Sequence, residues 1–240
     1  TAGQVEEPLC IPYMTGDQAL LVEFENEISM EVNRKVVAEA ALEERRLPGI
    51  GELIPTYRSL VIHYDPLTAD LDQLKEAIDQ GVKHLDLSAP QAIVTEIPVL
   101  YEGEYALDLE EIARIEGKTE EEIIRIHSQS DYYVYMLGFA PGHPYTARFE
   151  NPFSFKRRET PRVRIPGGSI VVQLGLSDII PFEALRLDII GTTPILACDY
   201  RKKNPFLLKA GQWIRHVPVD KAEFMDIKRQ VELGCYQQNL

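Results

Sequence analysis

The run Tyr133-Val134-Tyr135-Met136-Leu137 stops at Gly138, and the chain then reads Phe139-Ala140-Pro141-Gly142-His143-Pro144-Tyr145. Consecutive apolar and aromatic residues suit a buried strand. Prolines on either side of Gly142 and His143 fix φ and remove backbone donors. The segment is therefore expected to be a stiff loop that cannot continue a sheet. Stiff loops at strand ends are where sites tend to be built. A buried structural turn has the same composition, so both readings stand.

The same punctuation divides the 240 residues in two. Residues 1–90 read as a small α+β domain. Ala19–Phe24 is expected as a strand. Ser29 caps a helix to about Arg46 with Val32, Val36, Val37 and Ala40 on one face, which Leu47-Pro48-Gly49 stops. Glu52–Tyr57 and Leu60–Tyr64 read as strands around Arg58-Ser59. Thr68 then caps a second helix, with Leu71, Leu74 and Ile78 inward and Gly81 ending it. With Ile93–Leu100 as a last strand, the order is that of a ferredoxin-like, split βαβ domain. The boundary is placed near Ser88-Ala89-Pro90-Gln91, and that last strand fits either side of it.

Residues 91–240 are richer in short strands. Helical patterns begin at Asp108 and at Thr119, where Thr119 and Glu122 have capping-box spacing. Strands are expected at 132–137, 163–174, 186–190, 195–198 and 213–217, followed by an outer helix over Lys221–Leu233. That many short strands suggest a barrel or a sandwich.

The net charge of −13 argues against nucleic-acid binding and against an anionic membrane surface, both of which need a basic face. Cys10, Cys198 and Cys235 are too scattered for a zinc site or a disulfide framework, which fits a reducing, cytoplasmic setting. No apolar run is long enough to span a bilayer, and the polar, acidic start Thr-Ala-Gly-Gln-Val-Glu-Glu is not expected to be a secretory signal.

Gly117-Lys118-Thr119 imitates the end of a phosphate-binding loop, but the motif needs a glycine where Ile112 stands and a preceding strand where a helix is expected. It reads as one helix stop and the next helix cap. His63, His84, His127 and His216 show no metal-ligand spacing. Lys156-Arg157-Arg158, Arg162 and Arg164 make a local basic patch, with Arg162 and Arg164 on one side of an extended chain. Such guanidinium forks either bind a carboxylate or phosphate or form surface ion pairs. In Ile165-Pro166-Gly167-Gly168-Ser169 the glycines permit close backbone approach, for a ligand or for a tight turn. Ser169 has no evident triad partners. Tyr57 and Arg58 sit where an arginine could reach a ligand or fix its own hairpin.

Several ordered motifs carry a resemblance. They are Gly16-Asp17-Gln18-Ala19-Leu20-Leu21-Val22, Pro55-Thr56-Tyr57-Arg58-Ser59-Leu60, Ile97-Pro98-Val99-Leu100-Tyr101, the 133–145 signature, Thr160-Pro161-Arg162, Ile165–Ser169 and Ile190-Gly191-Thr192-Thr193-Pro194. From about Met14 to Val219 the chain resembles the allophanate hydrolase subunit 1 family. That family includes the B-subunit of 5-oxoprolinase, the kinase inhibitor KipI and part of the carboxyltransferase region of urea carboxylase. The resemblance implies a cyclophilin-like β-barrel after the ferredoxin-like domain. It also implies a subunit of an ATP-dependent amide hydrolase that opens 5-oxoproline to glutamate. Its expected partners are a homologous allophanate hydrolase subunit 2-type protein and a third oxoprolinase subunit. ATP serves the complex, since this chain has no nucleotide motif, and neither a bound metal nor biotin is expected. The alternative implied is a KipI-like regulator of a sensor histidine kinase. Carried over by motif, the candidate substrate-binding residues are Tyr57, Arg58, Phe139, Pro141, Gly142, His143, Tyr145, Arg162, Gly167, Gly168 and Ser169. His143 stands where the family often has an aromatic residue. The chain departs from the family over 173–187, where a Gln-Thr-Gly and a Pro-Gly-Gly-Trp are replaced and only Pro181 matches.

Overall fold

Apolar side chains alternate through Ala19–Glu23 and Ser59–Tyr64, and the pleat turns Leu20, Val22, Leu60 and Ile62 to one side, where all four are buried. These strands, β2 and β4, are the middle of an antiparallel sheet ordered β1-β2-β4-β3, with β1 at Ile11–Met14 and β3 at Ile50–Pro55. The computed structural model describes residues 10–42, 47–83, 93–146, 153–154, 165–173, 176–180 and 188–237. The chain divides into two compact units, 1–90 and 91–240.

In the first unit, α1 (Met30–Leu42) and α2 (Leu71–Lys83) cover the sheet with Val32, Val36, Leu74 and Ile78. Each such buried aliphatic side chain is worth ~1.5–3 kcal/mol. Ser29 Oγ accepts from Val32 N, as expected of the cap. At α2 the expectation is corrected. Asp70, not Thr68, takes the first free N–H groups, those of Asp72 and Gln73, while Thr68 is held in a turn by Asp65. Gly81 does not end α2. It lies within it, where a Cβ would stand 2.7 Å from the Glu39 carboxylate of α1.

The strand after the boundary, which fitted either side of it, pairs within the second unit. β5 (Val94–Val99) runs parallel to β11 (Trp213–Pro218) in the second unit, and β1 takes the edge beside β2. The second unit holds one sheet ordered β5-β11-β6-β7, with β6 at Asp131–Leu137 and β7 at Pro144–Thr146. Its other sheet is ordered β10-β8-β9, with β8 at Ser169–Gln173, β9 at Leu176–Ile180 and β10 at Asp188–Thr192. Leu100 and Thr192 exchange both backbone hydrogen bonds, at 2.9 and 3.0 Å, and join the two. Among the described residues these are two bridged sheets of a mixed α and β fold, not a closed barrel. Ile97, Val99, Val134, Ile170, Val172, Ile190 and Ile214 fill the core between them, with Ile112 of α3 (Leu109–Glu116) and Ile123 of α4 (Glu120–Ser128).

Gly117 closes α3 with φ +63°, and Thr119 and Glu122 form a reciprocal capping box on α4, so Gly117-Lys118-Thr119 is a helix–helix joint. The final helix, α5 (Lys221–Leu233), starts at Asp220, whose Oδ1 accepts from Glu223 N, and buries Phe224 and Ile227. No strand forms over 195–198, where the backbone makes a single bridge from Cys198 to Phe206. All three cysteines are free thiols. No helix among the described residues is long and apolar enough to cross a membrane.

Candidate functional site

Between β6 and β7 the signature segment folds into two consecutive tight turns. Ala140 N donates to Gly138 O across Phe139, whose φ is +63°, a γ-turn of the strained positive-φ kind. His143 N then donates to Ala140 O at 3.0 Å, with Pro141 and Gly142 (φ +82°) in the two central positions of a type II turn. Gly138 N closes the loop onto His143 O. The loop is stiff, but it does not end the sheet: Pro144 opens β7, which pairs with β6 from Leu137 to Val134. Proline is tolerated there because β7 is an edge strand.

Ile165–Ser169 forms a second turn of the same pattern. Ser169 N and Oγ both donate to Pro166 O, at 3.2 and 2.7 Å, and Gly168 has φ +84°. The segment 193–198 packs against both turns. A Cβ on Gly142 would lie 2.5 Å from Ala197 O, and one on Gly168 would lie 2.4 Å from Thr193 O. Thr193 N donates to Gly168 O at 2.8 Å. Both glycines are thus required twice, by φ and by the approaching carbonyl. Ala197 O accepts from Leu207 N at 3.0 Å, beside the single Cys198–Phe206 bridge.

The structure therefore sets two turns against one segment through Gly142 and Gly168: the turn that holds Phe139, Pro141, His143 and Tyr145, and the turn that holds Gly167 and Ser169. His143 is buried, with Nδ1 at 3.1 Å from Ile179 O and its ring edge-on to Tyr145 (5.1 Å) and Phe139 (5.8 Å). Burial pulls its pKa below the usual imidazole range, partly opposed by the bond to Ile179. It is packed as an aromatic ring. Ser169 is fully buried with its hydroxyl committed to Pro166, so it is not poised as a nucleophile. Phe139, in contrast, is 65% exposed.

Tyr57 and Arg58 lie in the β3–β4 turn of the first unit. Asn33 of α1 donates to Thr56 O and Tyr57 O, and the Arg58 guanidinium stands 3.3 Å from Glu23. Arg162 lies outside the described residues, as do Lys156, Arg157, Arg158, Arg164 and His84. Among the described residues, no group of three or more His, Cys, Asp or Glu side chains is placed to hold a metal ion.

A cleft of about 640 Å³ opens beside the Gly167-Gly168 turn. The 192–198 segment and Ile179 line it, and Tyr105 packs at 4.9 Å from Phe224 in its wall. Residues of α5 line it as well: Phe224, Lys228, Val231 and Glu232. Sequence reading missed this contribution, because α5 carries no motif and only its helical period was visible. Arg201 fastens α5 in place. Its Nε and Nη2 grip Asp199 at 2.8 and 2.9 Å, while Nη1 and Nη2 donate to the Glu232 and Val231 carbonyls at the helix C-terminus. The Arg201 hydrogen bond holds the Asp199 pKa down at about 2.

The diverged 173–187 stretch also proves to be part of this site. Its first half is β9, paired to β8 from Gln173↔Leu176 to Ser169↔Ile180. Ile179 from that strand both accepts from the His143 ring and lines the cleft.

Residues 12–208 match the family described as carboxyltransferase domain, subdomain C and D. The chain is 33% identical over 229 residues to the 5-oxoprolinase B-subunit of Bacillus subtilis (strain 168), covering 90% of this chain and 95% of that protein. It superimposes on the crystal structure of TTHA0988 with a TM-score of 0.74 at 31% identity. That match covers 85% of this chain but 40% of the other, so the chain spans about two-fifths of that solved protein. It also superimposes on the Kluyveromyces lactis urea amidolyase with a TM-score of 0.70 at 17% identity, covering 96% of this chain and 16% of that one, a likeness of fold alone.

Proposed function

From the family that unites the 5-oxoprolinase B-subunit with allophanate hydrolase subunit 1, to which this chain belongs, we propose that it is the B-type component of an ATP-dependent enzyme that hydrolyses the lactam of 5-oxoproline. The observation that carries this is the 33% identity across 95% of a protein bearing that name. The proposed architecture is a ferredoxin-like first unit, its edge strand supplied by β1, and a cyclophilin-like, barrel-type second unit. The proposed partners are a homologous subunit 2-type protein and a third oxoprolinase subunit, in the reducing cytoplasm. ATP activates the lactam within the complex, and this chain supplies no nucleotide loop.

The side chains of the site support a binding and positioning role. The described cleft brings together an apolar lining, a glycine turn and α5, while Ser169 and His143 are committed to backbone carbonyls. The proposal accordingly assigns the nucleophile and base of the reaction to another subunit rather than to Ser169 or His143. The candidates for contact with substrate or partner remain Phe139, Pro141, Gly142, His143, Tyr145, Gly167, Gly168, Ser169, Tyr57, Arg58 and Arg162.

The test is reconstitution. This chain and its two proposed partners should co-purify and hydrolyse 5-oxoproline only with ATP and only when all three are present. Turnover by this chain alone, or a stable complex with no oxoproline turnover, would overturn the proposal.

A further inference from the structure

We propose that Lys228 on α5 binds the carboxylate of a small cyclic acid whose ring lies against the apolar lining of the cleft, making α5 the element that selects acidic over neutral lactams. This rests on the oxoprolinase reading and goes beyond it, since α5 lies outside the 12–208 family match.

The volume of about 640 Å³ lies within the ~300–1,000 Å³ of small-molecule sites. Ile195, Ala197 and Phe224 give it an apolar lining suited to a ring. The described lining holds two cations, Arg201 and Lys228. Arg201 spends four of its five donors on Asp199 and on the two carbonyls that end α5, and its charge is paired with Asp199. Lys228 makes no hydrogen bond or ion pair with the described residues. Its ammonium is therefore the cation left for a ligand. Glu104 and Glu232 also line the cleft, and Asp199 offsets Arg201, so the described wall has no surplus of positive charge. A polyphosphate is repelled from such a wall, whereas a single carboxylate needs a single cation. With one unpaired ammonium beside Glu104 and Glu232, the cleft offers a place for one carboxylate and none for the several charges of ATP. The Arg201–Asp199 latch fixes the C-terminal end of α5, the helix that carries Lys228.

The experiment compares Lys228→Ala, Lys228→Arg and, as a control for charge on the same helix, Arg229→Ala, which breaks only an exposed pair with Asp226. Binding of 5-oxoproline and of 2-pyrrolidinone, the same lactam without its carboxylate, is measured by calorimetry on the full-length chain. KM and kcat for 5-oxoproline are measured in the three-subunit complex. Lys228→Ala should weaken 5-oxoproline binding about tenfold, the loss of one charge-assisted hydrogen bond, with the kinetic effect falling on KM. Lys228→Arg should recover most of it, Arg229→Ala should match wild type, and 2-pyrrolidinone should bind all variants equally. Equal 5-oxoproline binding by wild type and Lys228→Ala, or equal weakening toward 2-pyrrolidinone, overturns the assignment. A wild-type complex without oxoprolinase activity overturns the oxoprolinase reading instead, and the calorimetry still decides whether Lys228 holds a carboxylate.

Discussion

Replacing His216 should make the second unit markedly less sensitive to acid. His216 of β11 and His127 of α4 are both fully buried, with ring centroids 4.3 Å apart. Tyr132 stands edge-on to His216 at 5.0 Å, and Tyr101 Oη lies 2.6 Å from His127 Nδ1. Neither nitrogen of His216 has a hydrogen-bond partner among the described residues, nor does the Thr95 hydroxyl. Burial drives the His216 pKa to about 3 and pulls that of His127 well below the usual range, the neighbouring His216 adding to the effect. An unfolded histidine titrates near ~6.5. Below that pH the unfolded chain takes up a proton that folded His216 refuses, so stability is full above ~6.5 and falls as pH drops toward the folded value. Linkage over the interval from pH 7.5 to 4.5 amounts to about 2.5 kcal/mol for His216 alone. His216→Leu removes that dependence and also removes a buried group whose nitrogens are unpaired. At pH 7.5 the variant should therefore stay within ~1 kcal/mol of wild type. Urea unfolding at several pH values, followed by Trp213 fluorescence, measures this directly. Trp213 is the single tryptophan and sits on β11, three positions from His216. Parallel stability–pH curves for wild type and variant would refute the reasoning.

Two further stability predictions concern local geometry. Gly142→Ala must relieve both φ +82° and a contact 2.5 Å from Ala197 O, and should cost about 3 kcal/mol. Gly117→Ala, at φ +63° but with open space around it, should cost only ~1 kcal/mol. Equal losses in urea titrations would mean that the close approach to Ala197 contributes nothing. Thr119→Ala removes the capping box of α4 and should cost ~1 kcal/mol; an unchanged midpoint would show that packing of Ile123 alone sets the helix start.

Much of the local order was legible because it depends on local chemistry. Ser29 and Thr119 mark helix starts by their own side chains, and the pleat of Ala19–Glu23 follows from alternation. The missed strands share another cause. β1 contains Pro12 and β7 begins with Pro144, and both lie at sheet edges, where a missing N–H goes unnoticed. A proline marks the end of pairing only if the strand must bond on both sides, and sequence does not tell which strands are edges. β9 was hidden because its stretch stands out by the motif residues it lacks, while Ile179 and its neighbours carry the strand. The site was half legible. The two turns carry their glycines and prolines openly. That α5 forms a wall, that Arg201 holds it and that His143 packs as a ring are tertiary facts. No spacing along the chain encodes them.

The position of β11 has a consequence for how the molecule is made. β11 lies between β5 and β6 and is bonded to both. During synthesis β5 therefore emerges first and waits for a partner that arrives roughly 120 residues later, a long loop to close and a slow step. Until then β5 and β6 each expose an unpaired edge, the kind of surface on which nascent chains associate with one another. A fragment cut where the family match ends, at residue 208, would keep those edges open permanently. β11, the last of the described strands, is thus the one that pairs both open edges at once.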